Sequence, residues 1–246
     1  MGHSIHAGMT LLSSLLPLFA GCGGSERDST IARSAESSEA GKGTAMKRLF
    51  MFREAKLPKE FPPPGPVGEI IIKDYPAYRL ARVRSGKDGV SGGPNAMFNP
   101  LFKHIKRNNI AMTAPVEIGY PNQPDVAEKK DRELAESMAF VYGDPSWGKV
   151  GADAADSRVV VEDAPAMKVV SIGVRGNYTD DRFTKALGRL TEWLEANRDE
   201  FRAVGPPRYL GYNSPFVLGL LRYGEVQLPV DRVNTVNLPA SSRNDE

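Results

Sequence analysis

Few residues of this chain are of types that do chemistry, and their placing narrows what that chemistry can be. Cys22 is the only cysteine in 246 residues, which excludes an internal disulfide framework and a multi-cysteine zinc site. Of the three histidines, His3 and His6 fall in a leader expected to be removed, leaving His104 as the single imidazole available for ligation. Glu225 stands out among the acids. It sits in Tyr223-Gly224-Glu225-Val226, where strand alternation turns its side chain away from the face that Val226 takes. Facing the interior, its carboxylate needs a cation or a donor, with Arg222, Tyr209 and Tyr212 at hand; facing outward, it is simply solvated. The glycine-rich stretch from Gly86 to Gly93 lacks the Lys-Ser/Thr ending of a phosphate loop and reads as a flexible lip. This inventory predicts a protein that holds a ligand rather than an enzyme.

The rest of the composition sets the frame. Hydrophobic residues make up 41% and charged residues 25%, so a sizeable core can form; the net charge of +2 gives no basis for a nucleic-acid partner. Met9 to Ala20 (MTLLSSLLPLFA) is an apolar run too short to span a bilayer and of the length of a signal-peptide core. The sequence Phe19-Ala20-Gly21-Cys22 that ends it resembles a bacterial lipobox, in which the cysteine thiol takes the lipid and becomes the first mature residue. The expectation is a lipoprotein signal peptide over 1–22 and an extracytoplasmic protein. Acyl chains on Cys22 would anchor it to a bacterial membrane, at the periplasmic face or the cell surface. Residues 23–66 read as a tether. Its first part, to about Ala45, holds almost no large apolar side chain and cannot offset its ordering entropy, which predicts flexibility. Its second part (MKRLFMFREAKLPKEFPPPGP) predicts a short helix or docking arm and then a stiff, Pro-rich lead-in. The tail over 234–246 reads as disordered.

The elements that must position His104 and Glu225 belong to a domain over 67–233 built on an internal repeat. Ile70-Ile71-Ile72-Lys73-Asp74-Tyr75-Pro76-Ala77-Tyr78-Arg79-Leu80-Ala81 matches Val159-Val160-Val161-Glu162-Asp163-Ala164-Pro165-Ala166-Met167-Lys168-Val169-Val170 without a gap, 89 residues on. Each copy predicts a strand, a tight Asp/Pro turn and a second strand. A helix candidate follows each: Asn95 to Asn108, and Asp180 to Arg202 with Phe183, Leu187, Leu190, Leu194 and Phe201 at helical spacing. Strands follow again, over Ile110 to Tyr120, Met138 to Tyr142, Arg208 to Tyr212 and Leu221 to Val230, with a charged loop or short helix over Glu128 to Glu136. The predicted fold is α+β: a duplicated β-α-β-β unit forming one curved antiparallel sheet, closing to a distorted β-barrel, with two main helices on it.

The ordered set of motifs resembles one family. Ile110-Ala111-Met112-Thr113-Ala114-Pro115-Val116, just after the first helix, is similar to the Met-Thr-x-Pro-Val signature of the SOUL haem-binding proteins. Tyr75-Pro76-Ala77-Tyr78 resembles that family's opening strand. Gly211-Tyr212-Asn213-Ser214-Pro215-Phe216 and Arg222-Tyr223-Gly224-Glu225-Val226 resemble its closing segments, with Tyr223-Gly224 where the family has Arg-Asn and Gln227 where it has Trp. The resemblance spans about Glu69 to Val230.

The resemblance implies a haem or other tetrapyrrole ligand in an apolar cleft beside the first helix. Leu101, Phe102 and Ile105, with Met112 beyond, then form the wall against a flat macrocycle, or else serve as plain core. Lys103, Lys106 and Arg107 meet its carboxylates. His104 is the one candidate iron ligand, unless it is an ordinary helix histidine. The gyrase-inhibitor-like effector-binding domains share the duplicated architecture and often place an acid in the pocket, so a second reading makes Glu225 the counter-charge for amphipathic cations. Met112 to Pro115 reads as structural, since Pro115 lacks an N–H and belongs at an edge or bulge.

Overall fold

The computed structural model describes residues 54–86, 89–122, 135–214 and 216–233. The expected leader with Cys22, the tether before Glu54, most of the charged 128–136 stretch and the 234–246 tail lie outside the described residues. Among these, the elements in chain order are β1 (Ile70–Tyr75), β2 (Tyr78–Arg84), α1 (Gly93–Arg107), β3 (Val116–Gly119), β4 (Ser137–Val141), β5 (Gly151–Asp153) and β6 (Asp156–Ala164). There follow β7 (Met167–Arg175), α2 (Asp180–Ala196), β8 (Phe201–Ala203), β9 (Arg208–Gly211), a 3-10 turn over Gly219–Leu221 and β10 (Tyr223–Arg232).

The two repeat copies fold by exchanging partners. β1 pairs antiparallel with β7, placing Ile70 opposite Ile172, and β2 pairs with β6, placing Tyr78 opposite Ala164. The first strand of each copy therefore lies against the second strand of the other. β3 and β9 join the halves at the centre, with Val116 opposite Gly211. The order β1-β7-β10-β9-β3-β4-β2-β6-β5 is one antiparallel sheet, with β8 added on β10. Two residues, Pro76 and Ala77, connect β1 at one end of this sheet to β2 near the other, so the sheet must curl back on itself. It curls without closing: among the described residues no ladder joins its ends, and the barrel expected from sequence is an open one. The chain crosses between halves at Pro76 and Pro165, neither of which has an N–H to donate to a ladder.

Period-2 alternation then sorts the side chains. Val83, Ile118, Phe140, Val161, Ile172, Val226 and Val230 point to one face, where both helices cover them. α1 contributes Met97, Leu101 and Ile105, and α2 contributes Phe183, Ala186 and Leu190 to this core. α2 is capped by Thr179, whose hydroxyl accepts from Arg182 N, and carries Asp180 and Asp181 in its first turn, where acids suit the helix dipole. It stops at Ala196, not at Arg202; Phe201 lies on β8 and packs against Trp193 at 5.7 Å. β3 is likewise shorter than expected. Residues 110–115 stay irregular because Thr113 donates to Val141 O and Ala114 N to Lys56 O, off the sheet ladder. Pro115 stands directly before a central strand, rather than at an edge or bulge.

Candidate functional site

The second, inner face of the sheet is where the acid ends up. Lys73, Tyr75, Tyr78, Glu117, Ser171, Arg208, Tyr212, Tyr223, Glu225 and Gln227 all project there and are all buried. Glu225 is 0% exposed. Its Oε1 accepts from Lys73 Nζ at 2.5 Å, Gly65 N at 2.5 Å and Tyr223 Oη at 3.0 Å. Its Oε2 accepts from Gln227 Nε2 at 2.8 Å and from Ser171 and Tyr212 hydroxyls at 3.3 Å. Of the two alternatives for Glu225, the inward one holds, and Tyr212 is one of its donors. Its cation is Lys73 rather than Arg222, which donates instead to Val217 O (2.9 Å) and Asn177 Oδ1 (3.1 Å).

From Glu225 the polar network continues across the sheet. Gln227 donates to Tyr75 Oη at 2.8 Å and accepts from Arg208 Nε at 3.0 Å. Arg208 Nη1 reaches Tyr78 Oη at 2.6 Å and Glu117 at 2.9 Å, and Glu117 meets Arg82 at 2.9 Å. Arg82 in turn holds Glu162 at 2.6 Å. Cations and anions alternate along this line, which is what makes so much buried charge tolerable. Burial pulls the Lys73 ammonium below its ordinary value, against the opposing charge of Glu225. Burial alone would raise the Glu117 carboxyl, but Arg208 and Arg82 outweigh it and hold the group below the usual carboxylate range. Burial also pushes the Tyr75 phenol up to about 12.

A strap closes this face. Residues 54–66 contain no helix; they run across the inner face as a packed arm. Phe61 inserts edge-on between Tyr75 and Tyr78, at 5.1 Å from each ring. Lys73 donates to Pro63 O at 2.9 Å, and Tyr223 Oη to Gly65 O at 2.6 Å. Gly65 has no room for a side chain: a Cβ there would lie 2.7 Å from Ile71 Cδ1 and 3.3 Å from Glu225 Oε1.

His104 is buried at the other helix-covered side, and both of its nitrogens are engaged. Nε2 lies 2.7 Å from Tyr142 Oη, and Nδ1 contacts the Asp153 carboxylate, which Arg107 also meets at 2.6 Å. This pattern fits Nδ1–H donating to Asp153 and Nε2 accepting from Tyr142. Burial would raise the Asp153 carboxyl, but hydrogen bonds from Arg107 and His104 hold it well below the usual carboxylate range. Burial and then the Asp153 charge push Tyr142 up to about 12. His104 is thus an anchor pinning α1 to β5, and iron ligation by it would require breaking these bonds. Among the described residues, no serine completes the His104–Asp153 pair. Ser91 has the spacing of a nucleophile elbow in Gly89-Val90-Ser91-Gly92-Gly93, but it lies before α1, roughly 17 Å of helix from His104.

The predicted apolar wall divides in two. Leu101 and Ile105 are core, at 0% and 4% exposure, whereas Phe102 and Met112 lie open at 37% and 39%. Phe98, Phe102 and Lys106 form one i, i+4 row along α1: the two rings stack at 5.8 Å and Lys106 Nζ sits 5.5 Å from the Phe102 centroid. Phe98 in turn packs edge-on against Phe140 at 5.1 Å, tying the row to the core. Lys103, Lys106 and Arg107 are exposed around it. Phe102 and Met112 thus suit an apolar face and the three cations suit carboxylates, but no free imidazole of the described residues accompanies them.

The comparisons fit this geometry. The sequence model of the SOUL heme-binding protein family matches residues 68–229. No curated protein matches. Among solved structures, the chain is similar to EcmrR in its DNA complex (TM-score 0.51, 14% identity, 67% of this chain and 58% of that one). It is also similar to the C-terminal domain of EcmrR (TM-score 0.48, 15% identity, 67% and 98%) and to a hydrolase from Listeria innocua (0.46, 12%, 68% and 94%). At these identities the likeness to EcmrR speaks for the fold alone, and this chain spans little more than half of the EcmrR chain in that complex. The repeat, the Met112 to Val116 segment and the closing strands all fall within or along the match over residues 68–229: the chain belongs to the SOUL haem-binding protein family.

Proposed function

We propose that this protein binds haem or a related tetrapyrrole on the outer side of α1 and carries or sequesters it at a bacterial membrane, anchored through lipid on Cys22. The observation that carries the reading is the open Phe102 ring among three exposed cations of α1, with Met112 also open five residues beyond the helix, in a chain of a haem-binding family. Phe102, backed by Phe98, offers a flat aromatic surface to a macrocycle. Lys103, Lys106 and Arg107 offer donors to its carboxylates, which charge-assisted hydrogen bonds would hold. Haem would bring its own iron and visible absorption; this chain's role is to cover one face and neutralise one edge. With His104 committed to Asp153 and Tyr142, the binding is read as independent of histidine ligation.

The test is a haemin titration followed in the Soret band. A saturable one-to-one transition at micromolar or tighter concentration supports the reading; a flat or non-saturating response contradicts it. A second reading, an effector module for amphipathic cations, is favoured by the tyrosines around Glu225, but any such ligand must displace Lys73 and lift Phe61. Affinity for a lipophilic cation that falls in Glu225→Gln would support it.

A further inference from the structure

The loop between β9 and β10 carries the most exposed large apolar side chains of the described chain: Phe216 at 95%, Leu220 at 65% and Leu218 at 63%. A segment that had merely failed to find a core would hang loosely, but this one is held. Val217 turns inward, at 8% exposure, and its N–H donates to Ser214 O at 3.2 Å. Leu221 N donates to Leu218 O at 2.8 Å, closing the 3-10 turn, and Arg222 Nε clamps Val217 O at 2.9 Å. Gly219 is pressed against Asn177 so closely that a Cβ would meet its Oδ1 at 2.2 Å. Three large apolar groups are therefore displayed, at alternate positions, from a fixed base. A protrusion of this size is too small for a stable protein interface, which takes about 800 Å² from each partner. It suits insertion of a few side chains into the headgroup region of a bilayer. Arg222 and Arg175, whose guanidinium donates to Leu221 O, put positive charge at the base of the loop, where lipid phosphates would lie.

The way the chain enters the domain points to the same end. Glu54 accepts from Ser214 N and Ser214 Oγ, both at 2.6 Å, so the first described residue is fastened to the loop itself. Cys22 lies 32 residues before it. We infer that Phe216, Leu218 and Leu220 form a membrane-contacting tip that seats the domain on the lipid surface, on the side from which the anchored segment arrives. The inference rests on the lipid anchor proposed for Cys22 for how the domain reaches that surface.

The test uses the full chain as Cys22→Ser, which removes the acyl site and leaves no cysteine. An environment-sensitive fluorophore on an added Phe216→Cys then reports the loop, and one on Glu192→Cys, on exposed α2, serves as reference. With vesicles of phosphatidylethanolamine and phosphatidylglycerol, the probe at 216 is expected to brighten and shift to the blue while the probe at 192 stays water-like. In the chain labelled at 216, adding Leu218→Ser and Leu220→Ser is expected to lower vesicle partitioning about tenfold, read from that probe's titration. A water-like probe at 216, or equal responses at both positions, overturns the inference. So does shielding at 216 that grows with protein concentration without lipid, which would make a second copy the occupant. Acylation of Cys22 is read separately, by mass, on the wild-type protein from membranes; its absence would overturn the anchor without touching the probe result.

Discussion

The inner face of the sheet and the outer side of α1 solve opposite problems. The inner face has gathered acids, cations and tyrosines into a closed place and paired them with one another: Glu225 with Lys73, Glu117 with Arg208 and Arg82, with Phe61 of the strap above; among the described residues of this face Arg208 Nη2 is left without a partner. The outer side of α1 has left Phe102 in the open among cations, and Met112 lies open beyond the end of the helix. Charge complementarity that is already complete inside the molecule offers little to a ligand, since an incoming group must pay the desolvation that an internal partner has already met. An exposed apolar surface with unburied cations gains from contact. The richest cluster of titratable groups is thus structural, and the poorer-looking surface is the better binding face.

Substitutions on the two sides should respond differently. The largest effect is expected on the inner face: Lys73→Met or Glu225→Leu alone should cost about 3–5 kcal/mol in urea unfolding, because each strands a buried charge. The double variant should recover most of that loss; if it is as unstable as the single ones, the pair is not the interaction that matters. Next comes His104→Ala, which leaves Asp153 and Tyr142 short of a partner and should cost about 1–3 kcal/mol while leaving the Soret spectrum of the haemin complex unchanged. A shifted Soret band would restore His104 as an iron ligand.

The pH dependence follows the same map. Glu117 and Asp153 are both held below their ordinary values of 4.5 and 3.8. Their stabilisation is therefore complete above those values and is lost as pH falls through the depressed folded values. Urea midpoints should drop steeply below about pH 4. In Glu117→Gln, a lower midpoint at neutral pH should come with a flatter acid limb; an unchanged slope would mean Glu117 is not part of it. The smallest stability effect, within about 0.5 kcal/mol, is expected for Met112→Ser on the open face, where haemin affinity is what should fall.

Much of the fold could be read from residue order because two copies of one pattern carry it. The β-branched triplets at Ile70 and Val159, the shared Asp-x-Pro-Ala turn and the helix after each copy correspond to real elements. The partner exchange between copies was not legible, since β1 and β2 look like a hairpin until Tyr78 is found opposite Ala164. Helix periodicity over Phe183, Leu187 and Leu190 carried past its true end, because Phe201 keeps the spacing after the chain has become β8. At the site, alternation in β10 set Glu225 opposite to Val226 without deciding which face was inward, and nothing local told Arg222 from Lys73, a partner 152 residues away. A signal was present nonetheless: Lys73, Glu117 and Arg208 are charged residues at inward positions of strands that are otherwise mostly apolar. The repeat also aligns Lys73 with Glu162 and Arg82 with Ser171, so the two halves differ in charge where the network runs. In α1, sequence alone could not separate Phe102 from Leu101, since a rotation of about 100° decides which of two neighbouring side chains meets the sheet.

The central claim, that ligand binding belongs to the outer side of α1 and not to the charged inner face, is tested most directly by haemin titration of two double variants. One is Phe102→Ser with Met112→Ser; the other is Lys73→Met with Glu225→Leu. A loss of affinity of at least about tenfold is expected in the first and an affinity close to wild type in the second. The reverse order, with the second variant losing haemin and the first keeping it, would contradict the account and move the ligand beneath the strap.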